Sequence, residues 1–173
     1  MASIIGVQEL QHTNGTSAAT IDSSGRILTP TRPAFKAISN TTQSITNATH
    51  TKMEWNATSW DIGSNFSTAN NEFTAPIDGI YDFDVLVRVT ATVNTIDLIT
   101  IKLQIVGTTS YDVDLLQLNP IANNLLNSHV GGGTQLKLEA NDKVSVSVRV
   151  DGTSPTIGSD DGQYNWFCGH LVG

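Results

Sequence analysis

"EFTAPIDGIYDFDVLVRV", residues 72–89, is the stretch that decides the fold. Tyr81, Phe83, Val85, Val87 and Val89 alternate with Asp82, Asp84, Leu86 and Arg88. Successive side chains leave a strand on opposite faces, so this spacing predicts a long strand with one buried face. Pro76 lacks the N–H that a central ladder needs and should close the preceding segment. Asp78-Gly79 reads as a turn into the strand, because glycine accepts positive φ.

The same period recurs downstream. Ile99, Ile101, Leu103 and Ile105 alternate with polar residues, as do Leu136 with Leu138 and Val144, Val146, Val148 with Val150. Turn clusters at 106–109, 140–142 and 151–155 separate the runs. Strands are expected at 33–39, within 52–60, at 71–76, and near 97–106, 111–118, 134–139, 143–150 and 163–172. Gly131-Gly132-Gly133 reads as a flexible entry to the strand that follows it. No segment shows a 3.6-residue period with caps at both ends. The fold class is therefore all-β, a sandwich or barrel of about ten short antiparallel strands.

Composition narrows the partners. The 173 residues carry a net charge of −7 without any Lys/Arg cluster. That argues against nucleic acid, whose phosphates require a basic footprint, and against anionic lipid. No stretch approaches the roughly 20 apolar residues that span a membrane, so no membrane insertion is expected. "MASIIGVQELQHTNG" lacks the basic region and long apolar run of a signal peptide. Cys168 is the single cysteine and has no intrachain disulfide partner. The expectation is a chain made and folded in a cytoplasm.

Residues 1–32 differ from the rest. "QELQHTNGTSAATIDSSGRILTPTRP" is small and polar, with turn signals at Asn14-Gly15 and Ser24-Gly25. Its apolar spots, Ile4, Ile5, Leu10, Ile21, Ile27 and Leu28, are too few for a private core. It reads as an arm ordered against sister chains or a docking partner, the alternative being a flexible tail. Residues 33–173 form the globular head.

Candidates for chemistry each have a plainer reading. His12, His50, His129 and His170 lack metal-ligand spacing. Cys168 has no base in a local signature, and the triglycine lacks the Lys-Ser/Thr of a phosphate loop. No catalytic residue and no cofactor are expected. Asp160 and Asp161 are candidates for calcium or form a solvated turn. Asp82 with Asp84, and Asp112 with Asp114, suit acid/base work, solvent contact or interchain polar contacts. Trp55, Trp60 and Tyr164, with Tyr111 and Trp166, are candidates for stacking on a glycan or for core and interface packing.

The order of these signals resembles the globular head of complement component one, subcomponent q, a relative of the tumour-necrosis-factor jelly roll. The carrying segments are "AFKA", "FTAPIDGIYDF", "GGTQLKLEANDKVSVSV" and "NWFCGHLVG". They place the family's motif on Ala34, Phe35, Phe73, Pro76, Gly79, Tyr81, Phe83, Leu136, Leu138, Asp142, Val144, Phe167, Gly169 and Leu171. The resemblance implies an antiparallel jelly roll, a tight homotrimer, core roles for Tyr81 and Phe83, and close approach at Gly169. It also implies calcium in some heads. The arm is similar to the leader of small structural proteins of tailed bacteriophages, on "LQHTNGTSAATIDSSGRILTPTRPAF". That implies a non-enzymatic virion protein, a small fibre or a capsid or tail decoration. The arm would bind other virion proteins through Ile4, Ile5, Leu10, Ile21, Ile27 and Leu28, with the head turned toward a host-surface glycan or protein. The rival readings are a free-standing ligand-recognition module and a catalytic jelly roll.

Overall fold

The structure is a computed structural model that describes residues 6–92, 95–119, 127–159 and 162–173. Its strands are β1 (Glu9–Gln11), β2 (Ser17–Ile21), β3 (Ile27–Leu28), β4 (Ala34–Ile38), β5 (Gln43–Ser44), β6 (Thr51–Lys52), β7 (Ala57–Ile62) and β8 (Phe66–Ser67). They continue as β9 (Glu72–Thr74), β10 (Gly79–Thr90), β11 (Leu98–Val106), β12 (Tyr111–Leu118), β13 (Asn127–Leu138), β14 (Lys143–Asp151), β15 (Thr156–Ile157) and β16 (Trp166–Leu171). The all-β expectation holds. The surplus over the expected number comes from two-residue pairings and from the arm.

Two antiparallel sheets make the head. In the first, β13 takes one whole edge of β10, while β16 and β15 share the other. From β16 this sheet runs through β4 to β7, and from β15 to β5. The second sheet runs β12-β11-β14-β9-β8, with β6 further along β14. The opening stretch, as β10, is thus the middle of the first sheet. Its alternation is observed residue by residue: Tyr81, Phe83, Val85, Val87 and Val89 are buried, and the residues between them are not.

The core lies between the sheets because each contributes one apolar face. Phe35, Phe83 and Phe167 of the first sheet meet Phe66 and Phe73 of the second. Phe35 stacks on Phe73 at 4.9 Å and on Phe66 at 5.0 Å between ring centroids. Ile99, Ile101, Leu103 and Ile105 of β11 and Val144, Val146, Val148 and Val150 of β14 are each at most 1% exposed. No helix among the described residues is long and apolar enough to cross a membrane.

Two local expectations need correction. Gly79 does not use positive φ; it opens β10 in extended backbone. What requires glycine is space, since a Cβ there would lie 2.6 Å from Leu171 Cδ1. The triglycine is not a flexible entry but the middle of β13, paired with Asp84, Val85 and Leu86 of β10. A Cβ on Gly133 would lie 1.9 Å from Asp84 Oδ1, and one on Gly131 would lie 2.3 Å from the Val85 carbonyl oxygen. These glycines let β13 run beneath the side chains of β10. The arm, finally, has a sheet of its own, of order β1-β2-β3. Its two turn signals are the two hairpin turns, with Gly15 at φ +87° and Gly25 at φ +77°. Asp22 Oδ1 closes the second by accepting from the Ser24 and Arg26 amides, each at 2.9 Å.

Candidate functional site

The two outward faces of the sandwich differ in chemistry. On the second sheet Lys102 lies 3.9 Å from Asp112 and 3.4 Å from Asp114, and Arg149 Nε donates to Asp151 at 2.7 Å. Such exposed ion pairs belong to a hydrated surface and stabilise little. They account for Asp112 and Asp114 as partners of Lys102 on that face.

The first sheet carries an apolar row outward. Ile38 of β4, Trp166 of β16 and Leu86 of β10 stand in one register, followed by Gly131 of β13. The next row is Lys36, Cys168, Asp84 and Gly133. Lys36 Nζ sits 5.4 Å from the centroid of the Trp166 ring, a cation–π distance. Trp60, 44% exposed, extends the row beyond Lys36 on β7. Directly opposed residues point to the same side of a sheet, so these side chains form one surface. Its flatness comes from Gly131 and Gly133, which project nothing over β13. The side chains of Ile38, Trp166 and Leu86 are half-buried in a single chain.

Cys168 lies within this surface. Burial pushes its thiol up, and the Asp84 carboxylate pushes in the same direction. A nucleophilic thiol needs the opposite shift. Among the described residues, no three His, Cys, Asp or Glu side chains converge on a point that could hold a metal. His50 is shifted down by burial and by Lys102 and Arg149. Its Nε2 lies 3.5 Å from Thr100 Oγ1. Asp160 and Asp161, the calcium candidates, lie outside the described residues.

The structure separates the stacking candidates. Trp55 is 0% exposed, packed 6.1 Å from Phe167, so it cannot stack on a ligand: its apolar ring is core material. Trp60 stands at the β7 edge of the first sheet. Tyr164 stacks on His129, 4.2 Å away, and His129 belongs to the β13 edge. They do not converge on one ligand. Tyr111 lines a shallow depression of about 470 Å³ on the second sheet, with Lys52, Gln104 and Asp112.

The motif positions fall into four roles. Phe35, Phe73, Tyr81, Phe83, Leu136, Leu138, Val144 and Phe167 are buried in the core, and Leu171 packs against it half-buried. Pro76 follows β9 and Gly79 opens β10, where their spacing lets the chain cross between sheets. Gly169 leaves room for an aromatic: a Cβ there would lie 2.5 Å from Phe83 Cδ1. Asp142 holds the β13–β14 turn, accepting from the Glu139 amide at 2.9 Å and the Thr108 amide at 3.3 Å. Of the arm candidates, Ile4 and Ile5 lie outside the described residues. Leu10, Ile27 and Leu28 are exposed, and Ile21 is half-buried. Sequence reading missed the alignment of Ile38 with Trp166 and Leu86. Each lies on the face opposite a buried neighbour, but only the strand register brings the three together.

Comparison with known proteins gives the fold its context. The sequence profile of the C1q domain matches residues 34–172. The globular domain of zebrafish complement 1qA is 17% identical, with a TM-score of 0.62 over 82% of this chain and 98% of that one. Murine APRIL is 10% identical, with a TM-score of 0.61 over 82% of this chain and 99% of that one. No curated protein matches the sequence. The profile covers most of the chain and the structures share its sandwich, so the chain belongs to the C1q-domain family.

Proposed function

We propose that the chain is a non-enzymatic, trimeric structural protein of a bacteriophage particle, a small fibre or decoration. In this reading residues 1–32 attach to other virion proteins and residues 33–173 form a head turned outward to bind a host-surface glycan or protein. C1q and tumour-necrosis-factor domains typically form homotrimers and are generally recognition modules without enzymatic activity. The observation that carries the trimer is the Ile38–Trp166–Leu86 row, apolar and flat on an outward sheet face. Soluble monomers rarely leave such a surface open. The raised thiol of Cys168 supports the non-enzymatic reading. The virion assignment is supported by the arm's likeness to phage leader segments. The C1q-domain match equally suits a free-standing recognition module.

Light scattering at micromolar concentration tests the trimer, and a monomer overturns it. Quantitative mass spectrometry of purified particles tests the virion role. A copy number in multiples of three is expected, and absence from particles leaves the free-standing module.

A further inference from the structure

We infer that the Leu10–Ala19–Ile21–Ile27 face of the arm sheet packs against the same face of two sister chains, closing three arms into a stem. This rests on the trimer part of the reading above and not on the virion part.

The strand register carries the inference. Leu10 of β1 opposes Ala19 of β2, and Ile21 of β2 opposes Ile27 of β3. Ala19 and Ile21 are two apart on one strand, so they share a side. All four apolar side chains therefore project from one face. The other face carries Glu9, Thr20 and Leu28. On the apolar face Leu10 is 56% exposed and Ile27 72%. This sheet already closes its own turns, with the His12 amide donating to the Thr16 carbonyl at 2.8 Å and the Asp22 amide to the Arg26 carbonyl at 3.0 Å. What it lacks is a second layer over its apolar face, and a sheet this small is not stable without one.

Three features make sister chains the fitting cover. First, the face holds no charge, so identical copies meet without opposing like charges. The nearby Asp22 and Arg26 are paired with each other at 2.7 Å. Second, the arm is rooted on two of the strands that carry the proposed head interface. The Leu171 amide donates to the Pro33 carbonyl at 3.0 Å, and the Arg32 guanidinium donates to the Val172 carbonyl. This fixes the arm's root to the start of β4 and the end of β16, the ends of those strands away from Ile38 and Trp166, so three heads joined through this sheet bring three roots to the same end. Third, only residues 29–33 separate β3 from β4, and Pro30 and Pro33 stiffen that link. Three joined heads thus hold three arms close, at an effective concentration that a weak, small face requires.

The test uses the full chain with Cys168→Ser as background. Leu10→Cys and Ile27→Cys are made one at a time, with Glu9→Cys and Thr20→Cys as controls on the other face. Each is treated with a short bis-maleimide while light scattering reports the oligomer. The expected result is a trimer in which Leu10→Cys or Ile27→Cys bridges two chains in three, the ceiling set by one bridge per three-fold assembly, while the controls stay largely unbridged. A trimer in which both faces bridge equally, or neither apolar position bridges, overturns the stem and leaves the head trimer standing. The apolar face then belongs to an unlike partner. A monomer overturns both readings at once. Hydrogen exchange of Ile21→Asp gives a second measure: protection of residues 17–21 is lost while that of residues 79–90 persists. Retained protection at residues 17–21 also overturns the stem.

Discussion

Phe35, Phe83 and Phe167 of the head are each at most 1% exposed between two sheets, whereas Leu10 and Ile27 of the arm stand 56% and 72% exposed on a single one. Both regions are antiparallel, both have turns where glycine or asparagine signals them, and both sort apolar residues to one face. The difference is the second layer. Every residue of the buried core among the described residues lies at or beyond Phe35. A sheet's ladder bonds set its shape, but covering its apolar face supplies most of its stability. The head brings its own cover and the arm must find one.

The largest expected effect is in the head. Phe167 lies 5.0 Å from Phe35 and 5.8 Å from Phe83 between ring centroids. Phe167→Ala should cost about 3–5 kcal/mol in denaturant unfolding, the usual range for emptying an aromatic from a core. That is a large part of a small domain's stability. A loss below about 1 kcal/mol would show that the core tolerates a void and is not the head's main support.

Next comes the head's outer face, which in a single chain resembles the arm. Leu86→Asp places a carboxylate beside Trp166 in the apolar row. The single head should still fold, because Leu86 is only half-buried there, but the trimer should dissociate. A native trimer by light scattering, with an unchanged melting temperature, would break the parallel between this face and the arm.

Ile27→Asp tests the contrast from the other side. Its side chain is outside the core cluster, so the head's unfolding free energy should stay within about 0.5 kcal/mol of wild type. Arm amides should exchange faster in the same sample. A large loss of head stability would mean that the arm covers part of the head.

The smallest effect is electrostatic. Burial alone would raise the Glu72 carboxyl, but hydrogen bonds from Lys143 and Lys52 prevail and hold it below the usual carboxylate range. The contacts are 3.0 Å and 3.3 Å, and they tie β9 to β14 and β6. A lowered folded value means that the stabilisation is present above the ordinary carboxylate pKa. It is lost as pH falls through the folded one. Both lysines are well exposed, so the contribution is at most about 1 kcal/mol. Glu72→Gln should flatten that part of the acid limb of stability against pH, and an unaltered limb would remove Glu72 from the account.

Much of the head was legible because alternation is a local property. Tyr81 through Val89 announce their buried face without reference to any other strand, and so do Ile99 through Ile105. The site was less legible. In "KMEWNATSW" Trp55 suits ligand stacking or core packing alike, and only Phe167, distant in sequence, decides for the core. The triglycine looks like a loop, because its fitness as a strand depends on Asp84 and Leu86 of another strand.

The sequence by itself determined the long strands β10, β11 and β14, the turns at Asn14-Gly15 and Ser24-Gly25, and the apolar face of each of those three strands. These depend on side-chain period and backbone freedom within a few residues. Only the tertiary structure decided which strands share a sheet. It therefore decided that Ile38, Trp166 and Leu86 form one row outward, and that Leu10, Ala19, Ile21 and Ile27 form one face in the arm. Register is set by pairing between distant segments. A shift of one residue would turn every side chain of a strand to the other face.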